Sequence, residues 1–123
     1  MTPFGGKMRR LRAERGVTLK DMAKAVGVSP AYLSALEHGK RGRPGWHLIQ
    51  RILSYFNIIW DEAEDVVRLA RVSHPRIAID TSGLDPKATE LANRLADEVS
   101  KLDAATLEEL LEVLDRRRAK PKG

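Results

Sequence analysis

Residues 18–39, TLKDMAKAVGVSPAYLSALEHG, decide how this chain folds. Thr18 can cap a helix, and Asp21 stands three positions later, a variant of the capping box. Apolar residues recur at helical spacing as far as Val26. Gly27 then accepts the left-handed conformation that ends a helix. The stretch therefore opens with one short helix.

A second short helix follows at once. Ser29 is its predicted cap, and Pro30 stands at its first position, where the missing N–H costs nothing. Leu33 and Leu36 are its inward residues, and Gly39 ends it. Two short helices thus meet at a tight turn, and the outer face of the second is left free.

Amphipathic patterns flank this pair on both sides. They predict helices at about residues 4–15, 46–56 and 60–72, the last capped by Asp61. The breaker pairs His74-Pro75 and Ser82-Gly83 predict a linker over 73–85. Leucine-rich stripes then predict a helical hairpin over 86–118, with helices at about 86–101 and 103–118, before a basic tail at 119–123. The expected fold is all-α: a five-helix domain over 1–72 and a two-helix C-terminal extension.

Charge is distributed unevenly along the chain. Residues 1–60 carry eleven Lys or Arg against three acids, a net charge of +8, whereas residues 61–123 have a net charge of −3. The basic first half indicates a polyanionic partner. The alternative interpretation is a soluble protein whose surface charge is merely uneven.

Several classes of function lack their residues. The chain has no cysteine, and its three histidines are isolated from one another, so we expect no metal and no cofactor. No catalytic motif is present, which argues against an enzyme. The N-terminus has no apolar segment of the kind found in signal peptides, and no run approaches a membrane span, so a cytoplasmic location is expected.

A set of residues in register resembles one family. It comprises Leu11-Arg12 shortly before Gly16, Ala23, Gly27-Val28-Ser29, and Leu36-Glu37 followed by Gly39-Lys40. These residues resemble the Cro/C1-type (XRE) helix-turn-helix regulators of bacteria and phage, over residues 8–56 and extending to residue 70. The resemblance implies a homodimeric, nucleoid-associated regulator, a repressor rather than an activator, that reads a twofold site on double-stranded DNA.

The resemblance also implies which residues contact DNA. Base or groove contacts fall on Ser29, Pro30, Ala31, Tyr32, Ser34 and Ala35. Phosphate contacts fall on Lys40, Arg41 and Arg43, with Lys24 and Arg10 as further candidates. Arg12 and Glu37 correspond to the family's structural ion pair.

The sequence departs from the best-known members on the second helix of the pair. Pro30, Ala31 and Ala35 replace long polar residues, and Leu19 replaces a phosphate-binding glutamine. Proline and alanine cannot make bidentate hydrogen bonds to a base. We therefore expect recognition to depend more on the shape of the DNA. Tyr32 has a second interpretation as a packing residue.

The hairpin is expected to form the dimer. Its candidate interface residues are Leu91, Leu95, Val99, Leu107, Leu110, Leu111 and Leu114, while Trp46 and Trp60 offer an alternative interface. Two other functions stay open: an antitoxin whose C-terminal helices wrap a toxin, and a protein-interaction module that has lost DNA binding. A paralogous regulator is a further candidate partner.

Overall fold

The structure, a computed structural model, describes residues 1–119. These residues form seven α-helices and no strand, which confirms the predicted all-α fold: α1 Pro3–Arg15, α2 Leu19–Val26, α3 Pro30–Glu37, α4 Trp46–Tyr55, α5 Trp60–Arg71, α6 Pro86–Glu98 and α7 Ala104–Ala119. The chain divides into two compact units, Met1–Ile77 and the part that begins at Ala78. The predicted basic tail lies outside the described residues, except for the backbone of Ala119.

The helices of the first unit begin and end at local signals. Thr2 caps α1, and its hydroxyl accepts the Gly5 N–H, while Gly16 ends the helix with φ of 63°. At α5 the prediction of Asp61 as cap is wrong. Ile59 takes the cap position without a side-chain hydrogen bond, and Asp61 lies inside the first turn. There its carboxylate still interacts favourably with the helix dipole.

All five helices of the first unit contribute to one apolar core. Its buried members are Phe4, Met8, Leu11, Met22, Ala23, Val26, Leu33, Leu36, Leu48, Ile49, Ile52, Phe56, Ile58, Val66 and Ala70. Burial of this surface is the main favourable term in folding. Because Leu33 and Leu36 of α3 belong to the core, that helix is fixed by its inner face.

The second unit is organised differently. Helix α6 ends at Glu98 and continues as a 3-10 turn over Val99–Lys101, so the predicted helix to residue 101 is wrong in its last turn. Val99 is β-branched and Ser100 competes with the backbone for hydrogen bonds, and both weaken an α-helix. Between residues 78 and 118 no residue is buried. Among the described helices, none is long and apolar enough to cross a membrane.

Candidate nucleic-acid interface

The turn between α2 and α3 is held by hydrogen bonds. Thr18 and Asp21 form the expected capping box, with the Asp21 N–H donating to Thr18 Oγ1 over 3.0 Å. Gly27 follows α2 with φ of 79°, a conformation that side chains other than glycine rarely adopt. The next N–H, from Val28, donates to the Ala23 carbonyl over 3.0 Å. The angle between α2 and α3 is therefore set by the backbone.

Helix α1 fixes the C-terminal end of α3. The Arg12 guanidinium forms a two-pronged ion pair with the Glu37 carboxylate, and both side chains are almost completely buried. The Glu37 carbonyl accepts hydrogen bonds from the Thr2 N–H at 3.0 Å and from the Thr2 hydroxyl at 3.2 Å. Gly5 packs directly on the Glu37 backbone, where a Cβ would lie only 2.2 Å from the carbonyl oxygen. Helix α3 is thus attached to α1 at its end and is free at its start.

The start and outer face of α3 carry the residues predicted to contact DNA. Exposed members are Ser29, Pro30, Ala31 and Tyr32, while Ser34 and Ala35 are half-buried. The Ser29 hydroxyl accepts the Tyr32 N–H over 3.0 Å, so its oxygen is committed to capping while its O–H can still donate. Tyr32 is 37% exposed, and its hydroxyl is a group that can donate a hydrogen bond. The structure brings these six residues together on one helix.

The loop after α3, residues 40–45 (KRGRPG), is the basic loop. It begins with the Lys40 N–H donating to the Ala35 carbonyl over 2.8 Å, and Gly42 adopts φ of 79°. Lys40 and Arg41 are exposed. Arg43 is also exposed, but its guanidinium donates to the Arg71 carbonyl at the end of α5, over 3.4 Å. Of the three predicted phosphate ligands, Arg43 is therefore bonded to the end of α5, whereas Lys40 and Arg41 are not.

The other two predicted phosphate ligands lie on different elements. Lys24 is exposed in the last turn of α2, and Arg10 is exposed on α1 beside Gly6, one turn earlier. Neither belongs to the basic loop.

The structure also reveals anchors that sequence patterns did not single out. The Arg51 guanidinium donates to the Val26 carbonyl over 2.7 Å and so joins α4 to the end of α2. Ser73, assigned above to the linker, is buried, and its hydroxyl accepts the Phe4 N–H over 2.9 Å. Both contacts join residues far apart in the chain, and no periodicity signals such a pair.

The apolar residues predicted to form a dimer are six leucines on α6 and α7 and Val99 on the 3-10 turn. All but the half-buried Leu95 are exposed, from 37% for Leu107 to 62% for Leu114. An open groove between α6 and α7 is lined by Leu91, Leu95, Leu102 and Leu110, with Arg94 at its rim. Exposed apolar side chains in this number are unusual for a surface that faces only water.

Titratable groups in the described residues give little sign of metal chemistry. No group of three His, Cys, Asp or Glu residues within that part of the chain is placed to hold an ion.

In the second unit, hydrogen bonds with the side chain and backbone of Thr106 hold the pKa of Asp103 below its usual value. Asp103 thereby caps α7, and the Thr106 N–H lies 2.8 Å from its Oδ1.

Comparison with known proteins places this geometry in context. Residues 3–64 match the family described as helix-turn-helix domain. Two curated proteins of Bacillus subtilis (strain 168) are similar over 61 residues, which is 50% of this chain: the HTH-type transcriptional regulator RghRB at 34% identity and the HTH-type transcriptional repressor RghR at 38%. These matches cover 44% and 45% of the two relatives, so the chain spans less than half their length. The crystal structure of the clp gene regulator ClgR from Corynebacterium glutamicum is 30% identical and covers 80% of this chain and 89% of that one, with a TM-score of 0.47.

Proposed function

The chain belongs to the helix-turn-helix domain family, and on that premise we propose that it is a sequence-specific regulator of transcription that binds double-stranded DNA in the cytoplasm. One observation carries the proposal. Helix α3 is held from behind by the core and by α1, while its start, from Ser29 to Tyr32, is exposed. A helix presented in this way fits the major groove, which admits one α-helix.

The basic loop supports the proposal with charge. Lys40 and Arg41 are exposed directly after α3, and residues 38–45 contain no acid. Contacts from such cations to phosphates position a protein on the duplex without reading its sequence. Because Ala31 and Ala35 cannot make bidentate hydrogen bonds, we expect readout through Tyr32, Ser34 and the shape of the DNA.

We further propose that the chain forms a homodimer and represses transcription. One of the similar proteins is named a repressor, and helix-turn-helix proteins read paired half-sites about one helical turn apart. The second unit has exposed leucines and no buried residue between positions 78 and 118, so two copies packed together would gain the burial that one copy lacks.

Genome-wide immunoprecipitation of the tagged chain tests the main proposal. The informative variant is Lys40→Gln combined with Arg41→Gln, since Arg43 has a partner at the end of α5. The matched control is Lys87→Gln combined with Lys101→Gln, which removes the same charge from exposed sites in the second unit. Sharp peaks that share a motif, lost in the first variant and kept in the control, support the proposal. A stable wild-type chain without enriched sites refutes it.

Sedimentation equilibrium tests the dimer. Leu114→Lys removes an exposed leucine of α7, and Trp60→Lys removes an exposed tryptophan of the first unit. We expect Leu114→Lys to give monomers at micromolar concentration and Trp60→Lys to leave the dimer intact. The reverse result would place the interface on the first unit.

A second candidate function is binding of a partner protein, such as a toxin, through the second unit. The open groove between α6 and α7 favours it, since amphipathic helices bind in apolar grooves. Copurification of a small protein of defined identity with the wild-type chain, lost in Leu91→Lys, would support this candidate.

A further inference from the structure

We propose that residues 73–76, here called the strap, form a second element that binds the DNA backbone, in which His74 and Arg76 contact phosphates beside the basic loop. The inference rests on the proposed function, because it assumes that the basic loop meets DNA. It adds residues that follow α5 and that belong to none of the predicted contacts.

The strap begins at a fixed point of the first unit. Ser73 is 3% exposed, and its hydroxyl accepts the Phe4 N–H and donates to the Leu69 carbonyl. Two hydrogen bonds to two helices fix the backbone at this residue. The next three residues are exposed and therefore start from a defined position.

The strap then runs along the basic loop. A Cβ on Gly42 would lie 3.5 Å from His74 Nε2, and a Cβ on Gly39 would lie 3.5 Å from Pro75 Cβ. His74 and Pro75 therefore lie next to the two glycines at the start of the loop. The strap thus lies beside the start of the basic loop, although the two segments are distant in sequence.

The chemistry of that surface suits an anion. The Arg76 N–H donates to His74 Nδ1 over 3.1 Å, so Nδ1 carries no proton and the neutral ring is protonated at Nε2, the nitrogen that faces Gly42. Arg76 itself is exposed. Residues 38–45 and 71–79 contain no Asp or Glu.

The strap also adds positive charge where the loop has one cation engaged elsewhere. Arg43 donates to the Arg71 carbonyl, which turns its guanidinium toward the end of α5. Arg76 supplies an exposed cation two residues after His74, and the His74 Nε2–H supplies a neutral donor. A phosphate at the loop would therefore meet Arg41 from one segment and Arg76 from the other.

The test uses the full chain with fluorescein-labelled duplex DNA, one of random sequence and one with the motif enriched by immunoprecipitation. Affinity is measured by anisotropy between about 50 and 200 mM salt, the range over which counterion release is resolved. We expect Arg76→Gln to weaken binding about eightfold at 0.1 M salt, and to lower the salt slope by about 0.9 per chain, the contribution of one released counterion. The variant should lose the same factor in affinity for both duplexes, because phosphate contacts carry no sequence information.

Two controls separate contact from mere support of the loop. Arg68→Gln removes the same charge from an exposed residue of the same unit that is paired with Asp65, and it should change neither affinity nor slope. His74→Phe keeps a ring against Gly42 but removes the donor, whereas His74→Gln keeps an N–H. We expect His74→Phe to bind about threefold more weakly at an unchanged salt slope, the loss of one neutral donor, and His74→Gln to bind like the wild-type chain.

The outcomes are distinct for the strap and for the proposed function. Equal effects of Arg76→Gln and Arg68→Gln, or wild-type affinity in His74→Phe, would overturn the strap while leaving DNA binding intact. A wild-type chain that binds neither duplex would overturn the proposed function and the strap together. Loss of affinity and slope in Arg76→Gln but not in Arg68→Gln, together with weaker binding by His74→Phe, supports the strap.

Discussion

Two adjacent glycines of α1 should respond in opposite directions to the same substitution. A Cβ on Gly5 would lie 2.2 Å from the Glu37 carbonyl oxygen and 2.9 Å from its Cα, distances that real Cβ atoms essentially never show. These are backbone atoms of α3, so α1 and α3 must move apart. A Cβ on Gly6 would meet only the end of the Arg10 side chain, at 3.9 Å. Gly5→Ala is therefore expected to destabilise the first unit, and Gly6→Ala to stabilise it.

The magnitudes follow from two opposing effects. Alanine in place of glycine inside a helix gains about 1 kcal/mol, and Gly6→Ala realises that gain. Gly5→Ala receives the same gain, but overpacking against backbone costs about 3 kcal/mol or more, and the Thr2–Glu37 hydrogen bonds are displaced as well. We expect a net loss of about 2–3 kcal/mol. For a unit of this size such a loss lowers the melting temperature by roughly 10–20 °C.

Near-UV circular dichroism in a urea titration measures the effect on the first unit alone. The two Phe, two Tyr and two Trp residues of the chain all lie between residues 4 and 60, so aromatic signals come only from that unit. The reasoning is refuted if Gly5→Ala and Gly6→Ala shift the midpoint in the same direction. It is refuted equally if Gly5→Ala leaves the unfolding free energy unchanged.

Three further predictions concern other contacts. Arg12→Met should lower the unfolding free energy by about 3–5 kcal/mol, because the Glu37 carboxylate is left buried without its cation, and Glu37→Met in the same chain should restore most of it; an unchanged urea midpoint in the single variant would contradict this. Ser73→Ala should cost about 1–3 kcal/mol in the same titration, since a buried α1 N–H loses its acceptor, and a variant as stable as the wild type would argue against that bond. Hydrogen bonds with Thr106 lower the pKa of Asp103, so its stabilisation of α7 is present above the unfolded pKa and is lost as pH falls through the lowered native pKa. Far-UV circular dichroism should therefore show acid fraying that Asp103→Asn abolishes, and identical acid titrations of the two chains would count against it.

Much of the fold could be predicted because its signals are local. The capping box at Thr18, the turn at Gly27 and the cap at Ser29 each involve residues within a few positions of one another. Their geometry is written in short stretches of sequence. The starts of α2 and α3 follow from them directly.

The remaining contacts could not be predicted because they join distant segments. The Arg51 bond to Val26 and the Ser73 bond to Phe4 connect elements separated by 25 and 69 residues. Neither leaves a periodic pattern, and the His74-Pro75 breaker pair indicated a linker at the very place where the chain is anchored. Helix α5 begins at residue 60 as predicted, but its cap differs: Ile59 takes that position, and Trp60 begins the helix with φ of 57°, a conformation that a bulky residue rarely adopts.

In helix α3, the residues that hold the helix in the fold differ from those that form its exposed surface. Leu33, Leu36 and Glu37 hold it in the fold, whereas Ala31 is exposed and takes no part in the core. On the proposed function, changes at position 31 should therefore alter the DNA sequence preferred at almost no cost in folding free energy. Descendants of this chain can then diverge in the sites they recognise through single neutral steps, and an engineer can vary that position in a library without first stabilising the scaffold.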